Sequence, residues 1–136
     1  MSQPRDVTSD EASSLLGAGG AVAYVDVRST TEYTQGHVPG SINVPLAEMD
    51  PLRGMTPNPD FVSVVEKLFT KDQQLILGCA SGGRSAQACR MLAAAGFGNL
   101  MNLRGGFAGP GGWRQTGLPV SNDGTTYADA KKKAGV

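Results

Sequence analysis

The sequence predicts an α/β fold, a parallel sheet of about five strands with helices on both faces. Three observations predict it. The runs Ala21-Val22-Ala23-Tyr24-Val25 and Gln74-Leu75-Ile76-Leu77 have strand length and are apolar almost throughout, as strands buried on both faces must be. Candidate strands alternate along the chain with stretches whose apolar residues recur at helical spacing. Glycine, at 19 residues, clusters in a few turns between these stretches rather than spreading as low complexity.

Each element has its own signal. A short edge strand is expected around Val7. Thr8-Ser9-Asp10-Glu11 then offers an N-cap and early acidic charge to a helix carrying Ala12, Leu15 and Leu16, and Gly17 to Gly20 end it. The strand over 21–25 leads into Asp26-Val27-Arg28, and Ser29 or Thr30 caps a helical turn around Glu32-Tyr33. Gly36-His37-Val38-Pro39-Gly40 is a turn by composition, and Ile42-Asn43-Val44 is a short strand stopped by Pro45. Leu46 to Pro57 reads as a surface loop. Asn58-Pro59 reads as N-cap and first residue of a helix with Phe61, Val64, Val65 and Leu68 as its buried stripe. The strand over 74–77 runs into Gly78-Cys79-Ala80-Ser81-Gly82-Gly83-Arg84-Ser85. The next helix sets Ala86, Cys89, Leu92 and Ala93 on one face and ends at Gly96. Leu100-Met101-Asn102-Leu103 is a further strand, Gly105-Gly106 turns out of it, and Trp113 is expected on a short helix that stops near Gly117. One domain is thus expected over 1–120, followed by a solvated polar tail over 121–136 that includes Lys131-Lys132-Lys133.

Composition narrows the function classes. A chain of 136 residues with 40% hydrophobic and 18% charged residues suits one ordinary globule. The formal net charge of +0 provides no long-range attraction to nucleic acid or to an acidic membrane surface, so neither is expected as a partner. The two cysteines, Cys79 and Cys89, form no CxxC pair, and with a single histidine they make no zinc site. No metal is expected. Without a secretory h-region or a membrane-length apolar run, a cytoplasmic, reducing location is expected, where a reactive thiol stays free.

The chemistry concentrates at Cys79. Open parallel sheets place active sites at the carboxyl ends of strands, and Cys79 stands at such an end. The small-residue loop after it allows backbone N–H groups from Ala80 to Ser85 to turn inward as an anion nest, with Gly82 and Gly83 removing the steric bar. The helix that follows adds the positive end of its dipole, and Arg84 adds a cation. Together these favour a thiolate and an anionic substrate. Cys79 is therefore the candidate nucleophile, and Ala80, Ser81, Gly82, Gly83, Arg84 and Ser85 the candidate substrate-binding loop. Four residues separate Cys79 from Arg84. Cysteine-dependent phosphatases use a wider spacing, so the tighter ring argues against a phosphatase or arsenate reductase and for a smaller anionic group. Cys89, mid-helix on an apolar stripe, reads as packing.

These residues resemble the rhodanese family over roughly Val7 to Pro119. Asp26-Val27-Arg28, Glu32-Tyr33 and the run from Gly36 to Pro45 are similar to its first signature. Cys79 to Ser85 is similar to its active-site loop, and Leu103-Arg104-Gly105-Gly106, Trp113, Gly117 and Pro119 to its closing signature. The stretch from Arg53 to Phe61 resembles single-domain thiosulfate sulfurtransferases. The resemblance implies a rhodanese-like fold and a reaction in two displacements through a Cys79 persulfide. Thiosulfate is the implied donor, cyanide or a thiol the acceptor, with a protein acceptor as a further option. No cofactor is implied, and a monomer is expected. A non-enzymatic persulfide carrier or sensor that docks a partner is the alternative.

The resemblance also implies supporting roles for Asp26 and Arg28, which hold loops at the active edge by hydrogen bonds. Glu32 is expected to pair with Arg28. His37 reads as structural because an activated thiolate needs no base, and Trp113 reads as a core anchor. Two departures from the family pattern bear on the pocket. Ala80 replaces a larger polar or charged residue, which makes the pocket less cationic. The stretch Ala108-Gly109-Pro110-Gly111-Gly112 lengthens the link to Trp113 and reshapes one rim.

Overall fold

The structure, a computed structural model, describes residues 3–19 and 21–136. Five strands form one parallel sheet: β1 (Arg5–Val7), β2 (Val22–Asp26), β3 (Ile42–Asn43), β6 (Gln74–Gly78) and β7 (Leu100–Leu103), in the order β1-β7-β6-β2-β3. The two apolar runs are its central neighbours, β6 and β2, and Val25, Leu75, Ile76 and Leu77 are fully buried. Side chains alternate between the faces of the sheet. Val25, Leu75 and Leu77 face a core shared with α3 (Phe61–Leu68), α4 (Gly83–Ala94) and α5 (Tyr127–Ala134). Tyr24 and Ile76 face the other core, with Ala12 of α1 (Ser9–Gly17), Phe107 and Trp113. The expected parallel sheet with helices on both faces is therefore the architecture.

Two of the expected caps form. Thr8 and Ser29 each close a capping box, with Glu11 and with Glu32, and so start α1 and the short α2 (Thr30–Thr34).

Four local expectations are corrected. The stretch read as a surface loop contains an antiparallel hairpin, β4 (Ala47–Asp50) against β5 (Gly54–Pro57). Asp50 Oδ1 accepts from the Leu52 and Arg53 amides in its turn, and Gly54 takes a left-handed φ of 75° to re-enter the ladder. Helix α3 starts at Phe61 with Asp60 in the N-cap position; Asn58 lies before it, with Oδ1 accepting from the Asp60 amide and Nδ2 donating to Pro45 O and Tyr127 Oη. Trp113 lies in a series of turns, not on a helix.

The segment 121–136 is not a solvated tail. Ser121 exchanges two backbone hydrogen bonds with His37, and Thr125 O accepts from the Asn43 amide. Thr126 then caps α5, which buries Tyr127 and Ala130 against the core. A stripe at 127 and 130 is too narrow to stand out in so polar a stretch. Lys131, Lys132 and Lys133 occupy the last turn of α5, where they complement the helix dipole.

Candidate functional site

Central strand β6 delivers Cys79 to the carboxyl edge of the sheet. Gly78 before it can carry no side chain, since a Cβ there would lie 1.7 Å from Tyr24 Oη. After Cys79 the chain turns at Gly82, whose φ of 111° favours glycine, and enters α4. This turn brings the Gly82 amide to 3.0 Å from Cys79 Sγ, and Ser85 Oγ lies 3.5 Å from the same sulfur. Burial pushes the Cys79 thiol up, but the Ser85 hydroxyl and the amides of Ser85, Gly82 and Ser81 outweigh it and hold the thiol below its ordinary range. The sulfur is sheltered, with Cys79 only 1% exposed. Its immediate neighbours are nonetheless polar donors and not hydrocarbon alone.

A second loop fixes the first. The Phe107 amide donates to Cys79 O at 2.7 Å, and the Ala108 amide to Ala80 O at 2.9 Å. This approach needs glycine: a Cβ on Gly106 would meet Ala80 O and Cys79 O at 2.6 Å, and one on Gly109 would stand 3.1 Å from Ser81 Cα. Sequence reasoning took 108–112 for a lengthened rim and missed the clamp on the Cys79 backbone. The glycine density was the available signal.

The charged residues pair differently from expectation. Arg84 Nη1 and Nη2 donate to the two carboxylate oxygens of Glu32 at 2.8 and 3.0 Å. Hydrogen bonding from Arg84 is the main reason the Glu32 carboxyl falls to about 2. Glu32 thus pairs with Arg84, not with Arg28, because its carboxylate reaches across from α2 to the guanidinium at the start of α4. Much of the Arg84 charge is met at Glu32, and the donors nearest the sulfur are amides and a hydroxyl. Arg28 instead forks onto buried Asp26, with Nη2 2.8 Å from Oδ2, and also donates to Gly36 O. Those bonds join the end of β2 to the turn after α2.

An open cleft of about 180 Å³ adjoins the loop, bounded by Arg28, Glu32, Ala80, Phe107 and Arg114. Arg28 and Arg114 both lie over the Phe107 ring, at 4.4 and 5.9 Å from its centroid. Arg114 is exposed and forms no ion pair among the described residues. Ala80 therefore does not leave the cleft without an available cation. Of the remaining loop residues, Ser81 contributes its amide to the sulfur and exposed Gly83 opens α4.

Residues 8–110 match the family model described as Rhodanese-like domain. The chain belongs to the rhodanese-like domain family. It is 40% identical over 117 residues to thiosulfate sulfurtransferase 16, chloroplastic, of Arabidopsis thaliana, covering 86% of this chain and 92% of that one. It is 33% identical over 115 residues to a protein named sulfurtransferase from Allochromatium vinosum, covering 85% and 92%. Among solved structures it resembles Rv0390 from M. tuberculosis, with 27% identity, a TM-score of 0.76 and coverage of 90% of this chain and 100% of that one.

In this rhodanese-like domain the other sequence candidates are structural. His37 is buried, stacked on Tyr33 at 3.7 Å, with its ring nitrogens engaged by Tyr33 O and Asp123 O. Buried Trp113 donates from Nε1 to Pro119 O at 2.7 Å. Cys89 lies in the core, where burial pushes its thiol up to about 12, so it has no thiolate character near neutral pH.

Proposed function

We propose that this rhodanese-like domain is a sulfurtransferase that carries sulfane sulfur on Cys79. The observation that supports it is the ring of donors at Sγ, with the Gly82 amide at 3.0 Å and the Ser85 hydroxyl at 3.5 Å. Such donors stabilise a thiolate before reaction and negative sulfur after it. In the first displacement the Cys79 thiolate attacks the outer sulfur of thiosulfate. A new S–S bond forms, the donor's own S–S bond breaks, and sulfite leaves with the electron pair. The Cys79 persulfide then faces an acceptor. Cyanide or a thiolate attacks the terminal sulfur, and the Cys79 thiolate leaves and is regenerated. Arg114, at the rim of the cleft, is the cation assigned to the sulfonate end of the donor. The relatives named for sulfur transfer support the same chemistry. The cytoplasm remains the proposed compartment.

The test is mass spectrometry of the protein after exposure to thiosulfate. The intact chain is expected to gain one sulfur atom, Cys79→Ser to gain none, and Cys89→Ser to load normally. Arg114→Gln is expected to raise the thiosulfate concentration needed for half-maximal loading, with Cys79 alkylation by a neutral reagent unchanged. Loading at Cys89 alone, or none at all, would remove the reading. The shelter over Cys79, 1% exposed, favours one second reading, a carrier that loads once and waits for a docked partner. Steady turnover of thiosulfate with cyanide supports the enzyme, and a single stoichiometric loading supports the carrier.

A further inference from the structure

The Ser85 hydroxyl has one proton and three acceptors around it. Cys79 Sγ lies at 3.5 Å, Gly82 O at 3.2 Å and Asn102 Oδ1 at 2.5 Å. A hydroxyl donates once, so these acceptors compete. The shortest contact is to Asn102, on the next strand. The sheet register sets Asp6 of β1, Asn102 of β7 and Leu77 of β6 side by side across the face that α4 covers. Asn102 Nδ2 donates to Asp6 Oδ1 at 3.1 Å. A carboxylate accepts only, so Asp6 fixes which end of the Asn102 amide faces it. The carbonyl end is thereby aimed at Ser85.

We propose that Asn102, oriented by Asp6, is a positioning residue that draws the Ser85 proton away from Cys79 and so sets how readily the nucleophilic thiolate forms. With Cys79 as a thiol, S–H donates to Ser85 Oγ while Ser85 donates to Asn102 Oδ1, and every proton has an acceptor. When the thiol ionises, the sulfur needs the Ser85 proton for itself. The hydroxyl must then turn from Asn102 to Cys79, leaving a half-buried carbonyl without its donor. Asn102 therefore opposes ionisation by the difference between those two bonds. The donors on the loop make a thiolate, and the pair on the neighbouring strands limits how far its basicity, and with it its nucleophilicity, is depressed.

The other titratable groups that couple to Cys79 are Tyr24 from β2, and Arg84 and Cys89 from α4. Glu32 acts through Arg84, and Asp6 acts through Asn102. None of Tyr24, Arg84, Cys89 or Glu32 changes in the variants below, so their influence is common to all of them.

The inference rests on Cys79 as the nucleophile but needs no sulfur donor, so its test is separate from the loading experiment. The readout is the pH dependence of Cys79 alkylation by iodoacetamide, in which the thiolate displaces iodide, followed on the Cys79 peptide by mass spectrometry. Asn102→Leu keeps the shape and removes the competing carbonyl. Its midpoint is expected to fall by up to about one pH unit, the size of the neutral hydrogen bond to Asn102 that Ser85 no longer has to give up. Asp6→Asn, on the exposed edge strand, releases the Asn102 amide to turn and is expected to shift the midpoint the same way. Ser85→Ala raises it, and on a Ser85→Ala background neither variant has an effect, which separates proton competition from simple loss of the Asp6 charge. If Asn102→Leu does not fold, Asp6→Asn decides. A midpoint that is unchanged or raised, or a shift that survives in Ser85→Ala, overturns the proposal. Normal shifts in a protein that thiosulfate fails to load would leave it standing and remove only the sulfur-transfer reading.

Discussion

Glu32 has two roles in one carboxylate. Its Oε1 accepts from the Ser29 amide at 3.1 Å and so closes the capping box of α2, and both oxygens hold the Arg84 fork. The pair joins α2 to the loop–helix junction that carries Cys79. The Arg84 hydrogen bonds lower the carboxyl to about 2, against the upward push of burial. A folded-state value below the unfolded one gives stability that is complete above the unfolded carboxylate range, near pH ~4.3, and that fades as pH falls toward the folded value. The Glu32 side chain is 34% exposed, so solvent screening limits the contribution to about 1 kcal/mol. Urea unfolding followed from neutral to acidic pH is expected to show that loss in the wild type and a flatter curve in Glu32→Gln. Parallel curves would show that the pair adds no measurable stability. The cation at 84 was legible in the sequence, but its partner was not. Arg28 and Glu32 lie close in sequence and invited pairing, whereas the bond to Arg84 spans 52 positions and exists only once α2 meets α4.

Among the elements, those carried by a continuous local pattern were legible. The strands at 22–26 and 74–78 and the helix caps at Thr8 and Ser29 follow from periodicity and one or two polar residues. The hairpin over 47–57 was concealed because its apolar residues Met49, Leu52 and Met55 are exposed and mark no buried face, and helix α5 because it has few apolar positions and is stabilised largely by what it packs on. The clamp over 105–112 was concealed for a related reason, since a glycine's sequence neighbourhood does not show which distant backbone it approaches. Gly106 is the test of that element. A methyl there meets both Cys79 O and Ala80 O at 2.6 Å and also strains a φ of 61°. Gly106→Ala is expected to cost about 2 kcal/mol in stability and, by displacing the Cys79 backbone, to slow sulfur loading about 100-fold. Gly111, with open space around it, is the control: its alanine variant strains the turn but leaves the Cys79 backbone in place. Equal loading rates in the two variants would separate the clamp from function.

For the molecule as a whole, the last sixteen residues decide whether the sheet's β3 edge is finished. That edge strand has two residues, and α5 and the Thr125 carbonyl cover it from outside. Tyr127 and Ala130 join the core on the face that also holds Cys79, and Ser121 fixes His37, whose ring stacks on Tyr33 of α2. The segment is thus connected to the active edge through α2, and through α2 to the Glu32–Arg84 pair. Truncation after Val120 removes Tyr127 burial and the His37 exchange together, while it relieves the entropy cost of ordering the segment. The net loss is expected to be about 3 kcal/mol, seen as a lower midpoint in denaturant. Tyr127→Ala is expected to reproduce most of it, because the aromatic side chain accounts for most of the apolar area that α5 buries. A solvated tail gives the opposite result, with truncated and intact chains unfolding at the same denaturant concentration. The loading reaction separates the two contributions further. If the segment only seals the core, Tyr127→Ala loads sulfur at the wild-type rate below its unfolding transition, whereas a change in rate there shows that the path from α5 through His37 and α2 reaches Cys79.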